Sequence, residues 1–277
     1  MPIRNRTGVA LALAVFVALP ATRADAQIRP TDRAPLELLD QSFVRCGAGR
    51  YSDQTATLAG TRGTMTQLGE CTVQLARAGA TFRVEGIAQR LFRDESQYAA
   101  PAQGVVEGGP HRADAGEWGI DVVVPLRGWL PALRVGVRLP TTDDRTGLER
   151  DATDAYATIS GLRDAGPLWL SGEVGVGIHG TRNLEREQQD VLLFAVAAGG
   201  RRGALSGYTT VVGHRFWMNE WTDRGNENLA ELRVAADLRV SEHWSLGAVA
   251  LRGLAEHSPA AGVRFVVTRA LGDAGTR

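Results

Sequence analysis

A two-residue period in apolarity runs from about residue 69 to residue 271, and it restricts the chain to β-structure. In residues 231–240, Leu232, Val234, Ala236, Leu238 and Val240 share one face, while Glu231, Arg233, Asp237 and Arg239 share the other. Residues 168–180 set Leu168, Leu170, Val174, Val176 and Ile178 against Ser171, Glu173 and His179. The pattern recurs as Leu133, Val135, Val137 and Leu139 against Arg134 and Arg138. It recurs again as Phe82 and Val84 against Arg83 and Glu85, and as Val263, Phe265 and Val267 against Arg264 and Thr268. Only residues 191–200 are apolar on both faces, and no segment after the leader carries a helical period.

Alternation fits two architectures. A soluble sandwich buries the apolar face and wets the other. An outer-membrane barrel turns the apolar face to lipid and the polar face to its lumen. Connection lengths separate them. "RAG", "DAGP", "GRRG" and "SEH" are short and alternate with the long stretches 93–116, 141–153, 181–189 and 217–228. Short turns on one rim and long loops on the other belong to outer-membrane barrels. The expected fold is therefore all-β, an antiparallel transmembrane β-barrel of about 12 strands, an even number, following a cleaved signal peptide.

The N-terminus supplies the export signal. Arg4 and Arg6 precede the apolar run 9–19, and Ala24-Asp25-Ala26 forms an A-x-A cleavage site. The expected division is a signal peptide at 1–26, a periplasmic or lumenal segment at 27–54 and a barrel at 55–277, with "FVRCGAGRY" competing for the first strand. Export to the outer membrane of a Gram-negative-type bacterium follows. Lysine is absent, and 31 basic residues balance 31 acidic ones, which gives no support to a nucleic-acid partner. Outer-membrane lipid, lipopolysaccharide and the barrel-assembly machinery are the implied partners, together with a small-molecule solute. Cys46 and Cys71 are two thiols or one disulfide; spacing alone leaves both open.

Aromatics mark two expected interface belts. Trp169 and Trp244 begin strands near short turns, Trp118 and Tyr156 begin strands below long loops, and Trp217 follows Phe216 at the end of another. The inward candidates are Arg134, Arg138, Glu173, His179, Glu231, Arg233, Asp237, Arg239 and Arg264, because a basic side chain facing lipid at the midplane costs about 2–4 kcal/mol.

The run "VRLPT", then acids and glycine, then "DATDAYATISGL" and "GPLWLSGEVGVGIHG", resembles an outer-membrane transporter family associated with the meta-pathway of phenol degradation. "LRGLAEHSPAAGVRF" is similar to that family's C-terminal hairpin. The resemblance covers about residues 117–271. Barrel chains usually finish on an aromatic residue, whereas this sequence ends "TRALGDAGTR"; the assembly signal is either not the usual one or lies internally at Phe265. The resemblance implies a channel for small solutes, aromatic or hydrophobic ones included, working by passive diffusion without a cofactor.

Two other chemistries bear on the sequence. Asp143, Asp144, Glu149, Asp151 and Asp154 form an acidic stretch, but Arg145 occupies a ligand position of a calcium loop. With Arg145 and Arg150 offsetting the acids, the stretch reads as a solvated outer loop and no metal site is assigned. His243, Ser245 and Glu256 resemble the arrangement of an outer-membrane lipid hydrolase, since a serine nucleophile needs an adjacent base and an orienting acid. A structural or adhesive barrel is the remaining alternative, and no catalytic residue is assigned.

Overall fold

The computed structural model describes residues 41–272 except 57–58, 60, 78, 96–108, 127–131, 140, 143, 149–151, 184–185 and 217–227. The expected signal peptide and the 27–40 part of the following segment lie outside the described residues. The strands are β1 (Phe43–Ala56), β2 (Thr61–Arg77), β3 (Ala80–Asp94), β4 (His111–Asp114), β5 (Trp118–Pro125), β6 (Ala132–Leu139) and β7 (Asp154–Ala165). They continue as β8 (Leu168–Asn183), β9 (Arg186–Arg202), β10 (Leu205–Phe216), β11 (Leu229–Arg239), β12 (Trp244–Gly253) and β13 (Ala261–Ala270).

All pairings are antiparallel, and the wall closes where β1 pairs with β13, Phe43 opposite Ala270 and Ser52 opposite Ala261. β4 is a short annex on the upper part of β3, Arg93 opposite His111, while β5 pairs with the lower part of the same strand. Removing this annex from the thirteen strands leaves a closed wall of twelve. Both chain ends of the barrel lie on the short-turn rim.

The wall is inverted relative to a soluble protein. Phe265 is 64 % exposed and Leu170 53 %, whereas Glu231 is 0 % and Arg134 5 % exposed. The apolar residues of the alternating pattern thus form the outside and the charges the inside. In a sandwich those apolar side chains would be the core. Only a lipid surround makes this exterior favourable, so the fold is a transmembrane β-barrel.

Three expectations about boundaries change. The barrel begins at Phe43, not at residue 55, so "FVRCGAGRY" is wall rather than a lumenal segment. Stretch 181–189 is mostly strand: β8 runs to Asn183 and β9 resumes at Arg186, extending a hairpin past the roughly 9–11 residues a bilayer requires. Charged side chains made that extension look like loop. Part of the long 93–116 stretch is β4.

One bulge sets the inside and outside of the first strands. The β1–β2 register shifts where Gly47 faces Glu70 and Ala48 faces Leu68, leaving Gly69 unpaired against β1. Gly69 has φ +63°, a left-handed conformation that glycine adopts without strain. Met65 and Gln67 point inward before it, and Gln74 after it, so inward positions change from odd to even. Beyond the bulge Cys46 sits opposite Cys71 on the outward parity, and the two are bonded, with Cα atoms 4.1 Å apart.

Candidate functional site

The interior of the wall is a lattice of ion pairs carried by neighbouring strands. On β6, Arg134 donates to Asp121 Oδ2 of β5 at 2.8 Å and lies 3.9 Å from Glu173 of β8 and 4.0 Å from Glu85 of β3. Arg83 pairs with Glu85 on the same face of β3. Tyr156 of β7 donates its hydroxyl to the same Asp121 oxygen at 3.3 Å, with the Arg134 guanidinium 5.5 Å from its ring. Gly136 makes that reach feasible, because a Cβ there would stand 2.4 Å from the Tyr156 ring and 2.8 Å from the Asp121 Cβ.

Nearer the long-loop rim, Arg138 pairs with Glu117 at 2.8 Å and with Asp154. Asp154 also accepts from the Gly180 backbone N–H at 3.0 Å. Across the lumen, Arg233 places two donors on Glu231 Oε2, at 2.9 and 2.7 Å. Glu70 accepts from the Tyr51 hydroxyl at 2.7 Å and from Arg264 at 3.1 Å. Each pair is removed from bulk water, so loss of one partner would strand a charge in a low-dielectric interior.

Of the inward candidates, Arg134, Arg138, His179, Glu231 and Arg233 are buried, and Glu173, Asp237 and Arg264 are partly so. His179 packs edge-on against the buried His214, ring centroids 5.1 Å apart. Arg239 shares their parity but is exposed at the short-turn rim, beyond the lattice.

The aromatic belts need correction. Trp118 and Trp244 lie on the outward face, Trp244 with the Arg269 guanidinium 5.6 Å from its ring. Tyr156 and Trp169 instead face the lumen: Tyr156 joins the lattice, and Trp169 is 7 % exposed, packed near Tyr208 with ring centroids 6.2 Å apart. Trp217 lies outside the described residues. The hydrolase trio is not assembled. His243 is in the β11–β12 turn, Ser245 starts β12, and Glu256 lies past the opposite end of β12, a strand length of about 30 Å away.

The acidic loop holds the largest departure from expectation. Rather than standing in solvent, it turns inward through a short 3-10 segment, Asp144–Thr146, and delivers Leu148 to a position 1 % exposed. Leu148 completes an apolar cluster with Tyr51, Met65, Phe92 and Leu251, near the long-loop rim. Polar contacts hold the loop there. Arg112 donates to the Thr146 carbonyl at 3.0 Å, Thr146 Oγ1 donates to Asp114 at 2.7 Å, and the Ala59 N–H donates to the Gly147 carbonyl at 3.2 Å. Asp154 belongs to the wall. Asp143, Glu149, Arg150 and Asp151 lie outside the described residues.

Below this cap lies a cavity of about 120 Å³, reaching from Phe43 and Arg45 near the short-turn rim to Tyr51 and Leu251 at the underside of the cluster. Its walls are mixed, with Val249 and Val266 on one side and Arg83, Glu85, Arg90 and Glu117 on the other. Arg83, Glu85, Asp121, Glu117 and Leu148 also belong to the site and are not among the inward candidates read from the sequence. The first two were legible from the parity of β3. Leu148 stands out only as an aliphatic residue in a polar stretch.

The closed wall, its apolar exterior and its charged interior define an outer-membrane β-barrel. No family model and no curated protein matches the sequence. Solved structures do. An outer-membrane channel from Pseudomonas putida F1 is similar with a TM-score of 0.57 at 12% identity, covering 88% of this chain and 100% of that one. LpxR from Salmonella typhimurium gives 0.48 at 11%, covering 82% and 99%. The transport unit of the autotransporter AIDA-I from Escherichia coli gives 0.47 at 9%, covering 88% and 93%. At such identities the likeness concerns fold alone. The likeness to the Pseudomonas putida channel agrees with the wall described above and with a location in the outer membrane.

Proposed function

We propose that the protein is an outer-membrane channel that passes small solutes, aromatic or hydrophobic ones among them, by passive diffusion under the control of the loop segment 144–148. The observation that carries this reading is the cavity below a cap built by a loop. A barrel filled throughout by its own side chains would leave no cavity of about 120 Å³ beneath such a cap. The loop segment that carries Leu148 is held at the rim by the hydrogen bonds of Thr146 and Gly147, contacts that can be exchanged for water when it swings out. A twelve-strand wall encloses a lumen narrower than that of 16–18-stranded porins, which limits passage to small molecules. The residues that resemble the phenol-degradation transporter family agree with this substrate class. The lipid-hydrolase reading loses support because His243 and Glu256 stand at opposite ends of β12.

Liposome swelling tests the proposal. Proteoliposomes should swell in small neutral solutes such as glycerol or arabinose and fail to swell in a trisaccharide. Equal, background-level swelling in every solute would overturn it.

A further inference from the structure

The cavity's arginines are not equivalent. Arg83, Arg138, Arg233 and Arg264 each face a carboxylate within ion-pair distance. Arg45, at the short-turn end, is held differently. Its Nε donates to Thr268 Oγ1 at 2.9 Å, and its guanidinium carbon lies 5.3 Å from the centre of the Phe43 ring. Among the described residues no carboxylate stands within ion-pair distance of it. The tether fixes the side chain and leaves its charge without an acid to balance it.

What surrounds that charge is chemically specific. Thr72 and Thr268 are the cross-strand neighbours of Arg45 on β2 and β13. Their hydroxyls can donate to an oxygen that the guanidinium does not reach. Next to them the cavity wall is apolar at Phe43, Val249 and Val266, while Glu70, two residues from Thr72, is taken up by Tyr51 and Arg264. A neutral solute would satisfy the wall and leave the guanidinium without an anion. An ammonium would be repelled. A small inorganic anion would satisfy the charge and waste the wall.

We propose that this end of the cavity is a binding site for small aromatic monocarboxylates. The carboxylate takes the remaining guanidinium donors of Arg45 in a planar, charge-assisted pair. The ring lies against Phe43 and the valines. This deepens the channel reading by naming a solute class. Electrostatic selection at the short-turn rim favours organic anions over their neutral analogues as they enter or leave.

The test is titration calorimetry on the full chain folded in detergent, with benzoate, benzamide and acetate as probes. Benzamide keeps the ring and loses the charge, and acetate keeps the charge and loses the ring. Benzoate should bind at least about tenfold more tightly than either. Arg45→Gln should bring benzoate down to the benzamide level and leave benzamide unchanged. Phe43→Leu should weaken both aromatic probes. Equal binding of benzoate and benzamide to the wild-type protein overturns the site, as does an Arg45→Gln protein that binds benzoate like wild type. Heat-modifiable gel migration checks folding, and the wild-type comparison decides the matter if Arg45→Gln does not fold. Benzoate binding with no liposome swelling removes the channel and keeps the site. Swelling without benzoate preference removes the site alone.

Discussion

Arg134 and Asp121 face each other across β6 and β5 at 2.8 Å, and both are almost fully withdrawn from solvent. Their contact anchors a lattice that spans β3 to β8. Asp121→Ala leaves Arg134 with only the longer approaches to Glu85 and Glu173. The expected cost is about 3 kcal/mol, at the low end for breaking a buried pair because two acids remain. Urea unfolding in lipid vesicles measures it. A loss below about 1 kcal/mol, typical of exposed pairs, contradicts a dry lattice.

The Cys46–Cys71 bridge ties β1 to β2 across 25 residues of sequence. Replacing both with serine should destabilise the barrel by about 3 kcal/mol, chiefly by freeing the unfolded chain. The bridge lies on the outward face, so solute passage should stay unchanged. Unfolding midpoints and swelling rates of the double variant, side by side with wild type, check both parts.

His257, in the loop between β12 and β13, has its imidazole pushed below the ordinary value of about 6.5 by burial, with Arg62 acting in the same direction and Glu256 opposing. Its neutral form is the one the fold favours. The associated stability is fully present above about pH 6.5 and is lost as pH falls through the lowered value. The same loop is pinned by Ser258, whose hydroxyl donates to the Ala230 carbonyl at 2.8 Å and accepts from the Ala230 N–H at 3.0 Å. Amide exchange of residues 254–260, corrected for intrinsic rates, should show less protection at pH 5 than at pH 7.5. His257→Gln should remove the difference, and equal protection in the native protein would refute the assignment.

Much of the wall was readable from alternation, because lipid outside and charge inside leave a strict two-residue signature. The errors have physical causes. As an aromatic at a strand start Trp169 suggests the membrane interface, yet it lies two residues from Ser171 and four from Glu173, which face inward. Parity outranks residue type, and the same rule moves Tyr156 beside Asp154 and Thr158. In the sequence the stretch "FVRCGAGRY" only competes for the first strand, because Gly47 and Gly49 thin its pattern and the Gly69 bulge in β2 reverses parity midway. The inward turn of the acidic loop depends on contacts with Arg112 and Asp114, brought together by folding rather than by sequence proximity. The cavity and the separate state of Arg45 likewise arise only once β1, β2 and β13 meet.

Single-channel conductance of Leu148→Asp against wild type addresses the gating claim most directly. A carboxylate at that position would sit among Tyr51, Met65, Phe92 and Leu251 with its hydration lost, and expulsion of the loop is the less costly outcome. Wild-type protein in a planar bilayer should show rare, brief openings. Leu148→Asp should hold a sustained conductance several-fold above the wild-type average. Identical, near-zero conductance from the two proteins, each shown folded by heat-modifiable migration, would contradict a channel closed by this loop.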